Sequence, residues 1–179
     1  SIQVLETLNR TSESENITKL YTHNVDVDSI NDEYLQAIKE PKKKFAATQD
    51  GNPKLLETLK KAVITGELLE LKIGAKVMFV KNNYERGYIN GSLGYVVDYS
   101  DKGYPMVRLM NGNRIEAKQE EWKIENEKGS ILASFKQIPL RLAWAITVHK
   151  SQGMTLDEAE IDLTKTFEAG QGYVALSRL

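Results

Sequence analysis

The chain has 179 residues, a formal net charge of −1, 41% hydrophobic and 27% charged residues, and no cysteine. Those figures suit a globular protein with a sizeable core in one or two domains, exclude a disulfide framework or a thiolate metal site, and give no support to a uniformly basic nucleic-acid module. No run of about 18 apolar residues marks a membrane span, and the first ten residues lack a basic flank before an apolar stretch, so no membrane partner is expected and a cytoplasmic location is the default.

In chain order, "ITKLY" (residues 17–21) reads as a short strand, and "THN" follows as a polar turn. Val27, Ile30, Tyr34 and Ile38 then recur at helical spacing, with Asp26 or Asp28 available as a cap and Pro41 just past the end. Strand, turn and helix in that order are the unit of an α/β layer. "PKKKFAATQDGNPK" (41–54) reads as a linker. Its Lys42-Lys43-Lys44 run is read as a solvated face, with a phosphate-facing patch as the alternative. "KLLETLKKAVI" (54–64) is helical in pattern.

From Leu71 the period changes to two. "LKIGAKVMFVKNN", "YINGSLGYVVDYS", "YPMVRLM" and "RIEAKQEEWKI" alternate as short strands, and the last three are joined by the hairpin signals "DKG" and "NGN". Such a series predicts a small barrel or curled sheet, braced by a larger host because a unit of this size is near the lower limit for standing alone. Tyr84, Tyr88 and Tyr95 fit its core, with stacking on nucleobases as the other use for them. "FKQIPLRL" (135–142) returns as a strand. "AWAITVHKSQ" (143–152) fits either a strand continuation or a short helix, and Gly153, a common stop just past a last turn, favours the helix. "EAEIDL" alternates as a strand, and "FEAGQGYVALSR" reads as a terminal helix.

Three clusters of residues carry chemistry. Thr147, His149, Lys150 and Ser151 gather hydroxyl, imidazole and ammonium donors in nine residues, "TVHKSQGMT", a mix that phosphate oxygens accept. Gly153 lets a ligand approach the backbone closely. Against this stands a plain surface turn. His23 is the only other histidine and no metal-ligand spacing accompanies either, so no metal site is expected. "DEAE" (157–160) lacks the apolar strand that an acid box would end, and no G-x-x-x-x-G-K-[ST] loop is present, so this chain alone is not expected to hydrolyse ATP. Arg178 can fork onto a phosphate or simply favour a helix end.

Taken together and in order, these motifs resemble the PIF-type branch of superfamily-one DNA helicases, with the RecD type next. "LRLAWAITVHKSQGMTLDEAEIDL" followed by "GYVALSR" is similar to that superfamily's fifth and sixth motifs, "LYTHNVDVDSIN" to the fourth, and "GAKVMFVKNNYERGYINGSLGYV" to the entry into an inserted Src-homology-3-like barrel. The resemblance implies an α/β fold: a second RecA-like domain, a parallel sheet flanked by helices, in two segments (1–71 and 138–179) around a β-barrel at 72–137. It implies a monomeric 5′-to-3′ helicase on single-stranded and duplex DNA. ATP with Mg2+ would lie between this domain and a first RecA-like domain that holds the metal. Thr147, His149, Lys150 and Ser151 would then face single-stranded DNA, with Thr22, Asn24 and Asn82 as further DNA-side candidates. Gln152 and Gly153 would lie at the nucleotide, and Arg178 would be the arginine finger on the γ-phosphate. Two rivals make different predictions. A non-catalytic nucleic-acid-binding module built around the barrel would bind strands regardless of nucleotide or Arg178. A hydrolase using His149 with Ser151 would turn over by itself.

Overall fold

The computed structural model describes residues 18–21, 24–147 and 159–161, with side chains described from Val27 to Thr147. The described residues fall into two compact units that divide after Ala37 and after Arg141.

The first unit holds β1 (Thr18–Tyr21), α1 (Asn24–Ala37), β12 (Ala145–Thr147) and β13 (Ala159–Ile161). Its three strands form a sheet in the order β12-β1-β13, and both pairings are parallel. α1 packs on it through Val27 and Leu35, which are almost fully buried, while Tyr34 stacks on Trp144 with ring centroids 5.4 Å apart. Asn31 sits between Val27 and Leu35 on the same face at four-residue spacing and is just as buried.

The second unit opens with β2 (Lys43–Ala46), β3 (Thr48–Gly51), α2 (Pro53–Ala62) and β4 (Leu68–Leu71). Asn52 caps α2 by accepting hydrogen bonds from Lys54 N and Leu55 N, and Pro53 occupies the first turn, where its missing N–H costs nothing. The strands β5 (Lys76–Phe79), β6 (Leu93–Tyr99), β7 (Pro105–Leu109), β8 (Arg114–Glu116), β9 (Glu120–Glu125), β10 (Ile131–Gln137) and β11 (Leu140–Leu142) follow. They are arranged as a five-stranded sheet β11-β5-β6-β7-β8 and a three-stranded antiparallel sheet β3-β10-β9, with β2 and β4 paired separately. α2 covers the three-stranded sheet, burying Leu59 and Val63 against Ala133 and Phe135. Gln137, fully buried, donates to the Phe45 carbonyl at 2.9 Å and so ties β10 to β2.

Several expectations are corrected here. The linker "PKKKFAATQDG" contains two strands, because Phe45 and Gln49 have partners in Leu69 and Phe135 far along the chain, which no local pattern reveals. Its lysines are engaged rather than solvated: Lys42 and Lys44 pair with Glu70 at 2.9 and 3.4 Å, and Lys43 lies 4.4 Å from the Tyr99 ring centroid. Lys42 in turn holds the Glu70 carboxyl below its ordinary range. "AWAIT" is strand rather than helix at Ala145–Thr147, where Ile146 and Thr147 are β-branched and buried beside β1. α1 begins at Asn24, two residues before the first expected cap at Asp26. "RIEAKQEEWKI" and "FKQIPLRL" are each two strands, broken at residues 117–119 and at Ile138-Pro139. The second compact unit takes in residues 38–71, which the sequence reading grouped with the first RecA-like segment, since β2, β3 and α2 are bound to β4 and β10.

Candidate nucleic-acid interface

The parallel register decides where the motif segments emerge. Tyr21, the last residue of β1, is the register partner of Thr147, the last residue of β12. Strands in parallel share the edge at which they end, so the chain leaves the sheet side by side before Thr22 and before Val148. This is the carboxyl edge, where open α/β sheets carry their ligands. Asn24 is the first residue of α1, two residues beyond Thr22 in the sequence. Thr22, His149, Lys150, Ser151, Gln152, Gly153 and Arg178 lie outside the described residues. Thr147 itself is only 2% exposed, so its place is at the end of a buried strand rather than on the solvent face expected from the sequence.

Asn31 holds β12 in position. Its Nδ2 donates to the carbonyls of Ala145 (2.9 Å) and Leu142 (3.4 Å), and its Oδ1 accepts from Ala145 N at 2.9 Å. A side-chain amide thus serves as a two-way partner for one backbone residue, two residues before the motif begins. Sequence reasoning missed it; the available signal was an asparagine on the apolar stripe of an amphipathic helix, four residues from Val27 and from Leu35. Asn31→Leu is expected to lower stability by about 2–4 kcal/mol, because it strands a buried N–H and a buried C=O. Thermal denaturation with hydrogen exchange at the Ala145 amide measures it, and unchanged protection there would rule the clamp out.

Asn82 lies in the other unit, in the loop between β5 and β6. Its Oδ1 accepts from Asn90 N at 2.7 Å and closes the loop across eight residues. The next residue, Asn83, donates to Glu120 Oε1 at 2.7 Å, and the same oxygen accepts from Arg86 (3.0 Å) and from the Tyr88 hydroxyl (2.6 Å). Burial, then the Glu120 hydrogen bond, hold the Tyr88 phenol in its protonated form far above the usual range. Tyr88 is core, 2% exposed and stacked on Phe79 at 4.0 Å between centroids, whereas Tyr84 is 78% exposed at the loop tip. A cleft of about 360 Å³ lies beneath Tyr84, lined also by Ile89, Ser92 and Leu109. Among the described residues no three His, Cys, Asp or Glu side chains converge as a metal site, and no helix is long and apolar enough to cross a membrane.

Residues 54–99, from α2 through β6, match the family described as DNA helicase Pif1, 2B domain. Across 92% of its length the chain is 46% identical to the ATP-dependent DNA helicase Pif1 of Psychrobacter sp. (strain PRwf-1). The chain belongs with the Pif1-type helicases. Its backbone is similar to that of an unliganded Pif1 from Bacteroides sp (TM-score 0.78, 34% identity over 92% of this chain). It is also similar to a Bacteroides Pif1 helicase in complex with ADP-AlF3 and single-stranded DNA (TM-score 0.69, 34% identity, 92% of this chain). This Pif1-type chain spans 32% of the Psychrobacter relative and 38% of each solved chain. The resemblance to the PIF-type branch read from the motifs is thereby established, and the sheet-rich, helix-poor fold agrees with the solved Pif1 structures.

Proposed function

We propose that this chain supplies the second RecA-like domain, with its inserted Src-homology-3-like barrel, of an ATP-dependent DNA helicase that moves 5′ to 3′. The carrying observation is the Tyr21–Thr147 register pair. It sends the "LYTHN" and "TVHKSQG" segments out from one carboxyl sheet edge, the place where such sheets bind ligands. A relative with the name of an ATP-dependent helicase and a solved neighbour holding a nucleotide analogue and single-stranded DNA support the reading.

In this reading His149, Lys150 and Ser151 offer donors to backbone phosphates, with Thr22 and Asn24 leaving the same edge, while buried Thr147 anchors the segment. Gln152 and Gly153 meet the nucleotide and Arg178 meets its γ-phosphate, with the phosphate loop and Mg2+ ligands on the first RecA-like domain. ATP supplies the phosphoryl transfer when bound, and the chain's own residues bind, orient and couple. Nucleotide binding favours a closed arrangement of the two domains, so the strand contacts shift with each cycle as a change of populations. Asn82 shapes a loop of the barrel unit and presents its amide from there.

The test is a double substitution, His149→Ala with Lys150→Ala, in the chain joined to its ATP-binding domain. Stimulation of ATP hydrolysis by single-stranded DNA should fall at least tenfold while nucleotide binding is retained. Full stimulation in the double variant would remove these residues from the DNA contact.

A further inference from the structure

The outward face of the five-stranded sheet carries a feature that the motif segments leave unused. Arg108 on β7 and Arg114 on β8 are register partners. The Leu109 N–H donates to the Asn113 carbonyl at 2.8 Å, which makes Arg108 and Arg114 a non-hydrogen-bonded pair. In that class facing side chains approach most closely, with Cα atoms about 4.5 Å apart. Both are exposed, alternating with buried Val107 and Leu109 on β7 and half-buried Ile115 on β8. Like charges placed directly opposite each other destabilise a sheet, and among the described residues no ion pair or hydrogen bond engages either guanidinium.

The surrounding cations are treated differently. Lys42 and Lys44 meet Glu70, Lys60 meets Glu57 and Glu67, Arg86 meets Glu120 and Lys123 meets Glu125. Glu116, the carboxylate two residues along β8 from Arg114, is taken by Lys118 at 3.4 Å and by Ser100. The third member of the row is Tyr95 on β6, register partner of Arg108 and half-buried. Tyrosine, arginine and arginine thus stand in line across three strands, on a surface made rigid by paired backbone.

We propose that this row is an anion-binding face that takes the backbone phosphates of a single nucleic-acid strand. It rests on the helicase reading above and adds a second contact surface to it, on the barrel unit. The arginine forks match phosphate oxygens, and a partly exposed tyrosine edge beside them suits the sugar or base of the same strand. An acidic polypeptide would satisfy the charges and leave the aromatic member without a use. The like-charge pair is a local cost to the fold that an arriving phosphate relieves.

The experiment uses the 179-residue chain, a fluorescent oligothymidylate, and binding isotherms across a salt series. Arg108→Gln with Arg114→Gln should weaken binding roughly 25-fold at about 0.1 M salt, and flatten the log–log salt slope by about 1.4, the effect of losing two single-strand phosphate contacts. The melting temperature should hold or rise, since a repulsion is removed. Arg114→Glu, which turns the pair into an attraction, should raise the melting temperature and abolish the gain from Arg108. If the parent chain binds and the double variant keeps its slope and affinity, the face is overturned while the helicase reading stands. If the parent chain binds no strand at all, both fall together. Binding of polyglutamate in preference to oligothymidylate, lost in the double variant, would assign the row to an acidic protein partner and overturn the proposal.

Discussion

Gly51→Ala should unfold the three-stranded sheet or leave the protein insoluble. Gly51 has φ +111 and is the register partner of Ala133 on β10. A Cβ there would stand 2.3 Å from the Leu132 carbonyl oxygen, 2.6 Å from Ala133 Cα and 2.9 Å from the Leu132 carbonyl carbon. All three are backbone atoms of the central strand, so no rotamer change relieves the overlap. The left-handed conformation alone costs an alanine roughly 1–2 kcal/mol, and pushing β3 off β10 would also pull Asn52, the cap of α2, away from its bond to Leu132 O. The combined loss should exceed about 4 kcal/mol, in the range reserved for gross steric or core damage, or at least ~10 °C in melting temperature. Gly66→Ala is the control: φ is +82 there, but nothing lies within 4 Å of the added atom, so the cost should stay near the conformational term. A Gly51→Ala protein melting within about 2 °C of the parent would show that β3 is not seated on β10 as described.

Arg178→Ala, on the reading proposed above and in a chain that carries the ATP-binding domain, should lower kcat for DNA-stimulated ATP hydrolysis by roughly 10³–10⁵. That corresponds to about 4–7 kcal/mol of transition-state stabilisation. The KM for ATP should change little, because the charge that the guanidinium meets develops in the transition state, and kcat and kcat/KM should therefore fall together. Arg178→Lys should recover little, since an ammonium lacks the planar fork. Steady-state kinetics at saturating single-stranded DNA measures all three. A loss smaller than tenfold would reassign Arg178 to an ordinary helix-end cation.

What the sequence made legible follows how local each cause is. α2 could be read because its cap, its first-turn proline and its apolar stripe sit within a dozen residues. The hairpins at "DKG" and "NGN" could be read for the same reason, and they connect β6 to β7 and β7 to β8. β2 and β3 could not, because Phe45 and Gln49 are strand residues only by virtue of Leu69 and Phe135. The strand at Ala145–Thr147 failed for a different reason: a three-residue element is too short to show a period, and Gly153 offered a helix stop for a helix that those residues do not form. At the candidate site, the donors of "HKSQG" were legible as chemistry, whereas Asn31 was not, since its partners are backbone groups more than a hundred residues away. The Arg108–Arg114 pairing was invisible until the register of β7 and β8 was known.

The order β12-β1-β13 sets a timetable for the ribosome. β1 is the middle strand of its sheet and emerges first, yet its partner Ala145 lies 126 residues after Lys19 (145 − 19). Throughout that interval β1 has both edges open, while the Ile38–Arg141 unit has everything it needs to fold. Contacts of such long separation close late and slowly. The sheet edge that presents the motifs is therefore assembled last, onto a chain whose inserted unit is already native. Slow synthesis or a destabilised insert would show up first as exposure of β1, a short unpaired strand with a tendency to find partners in other chains.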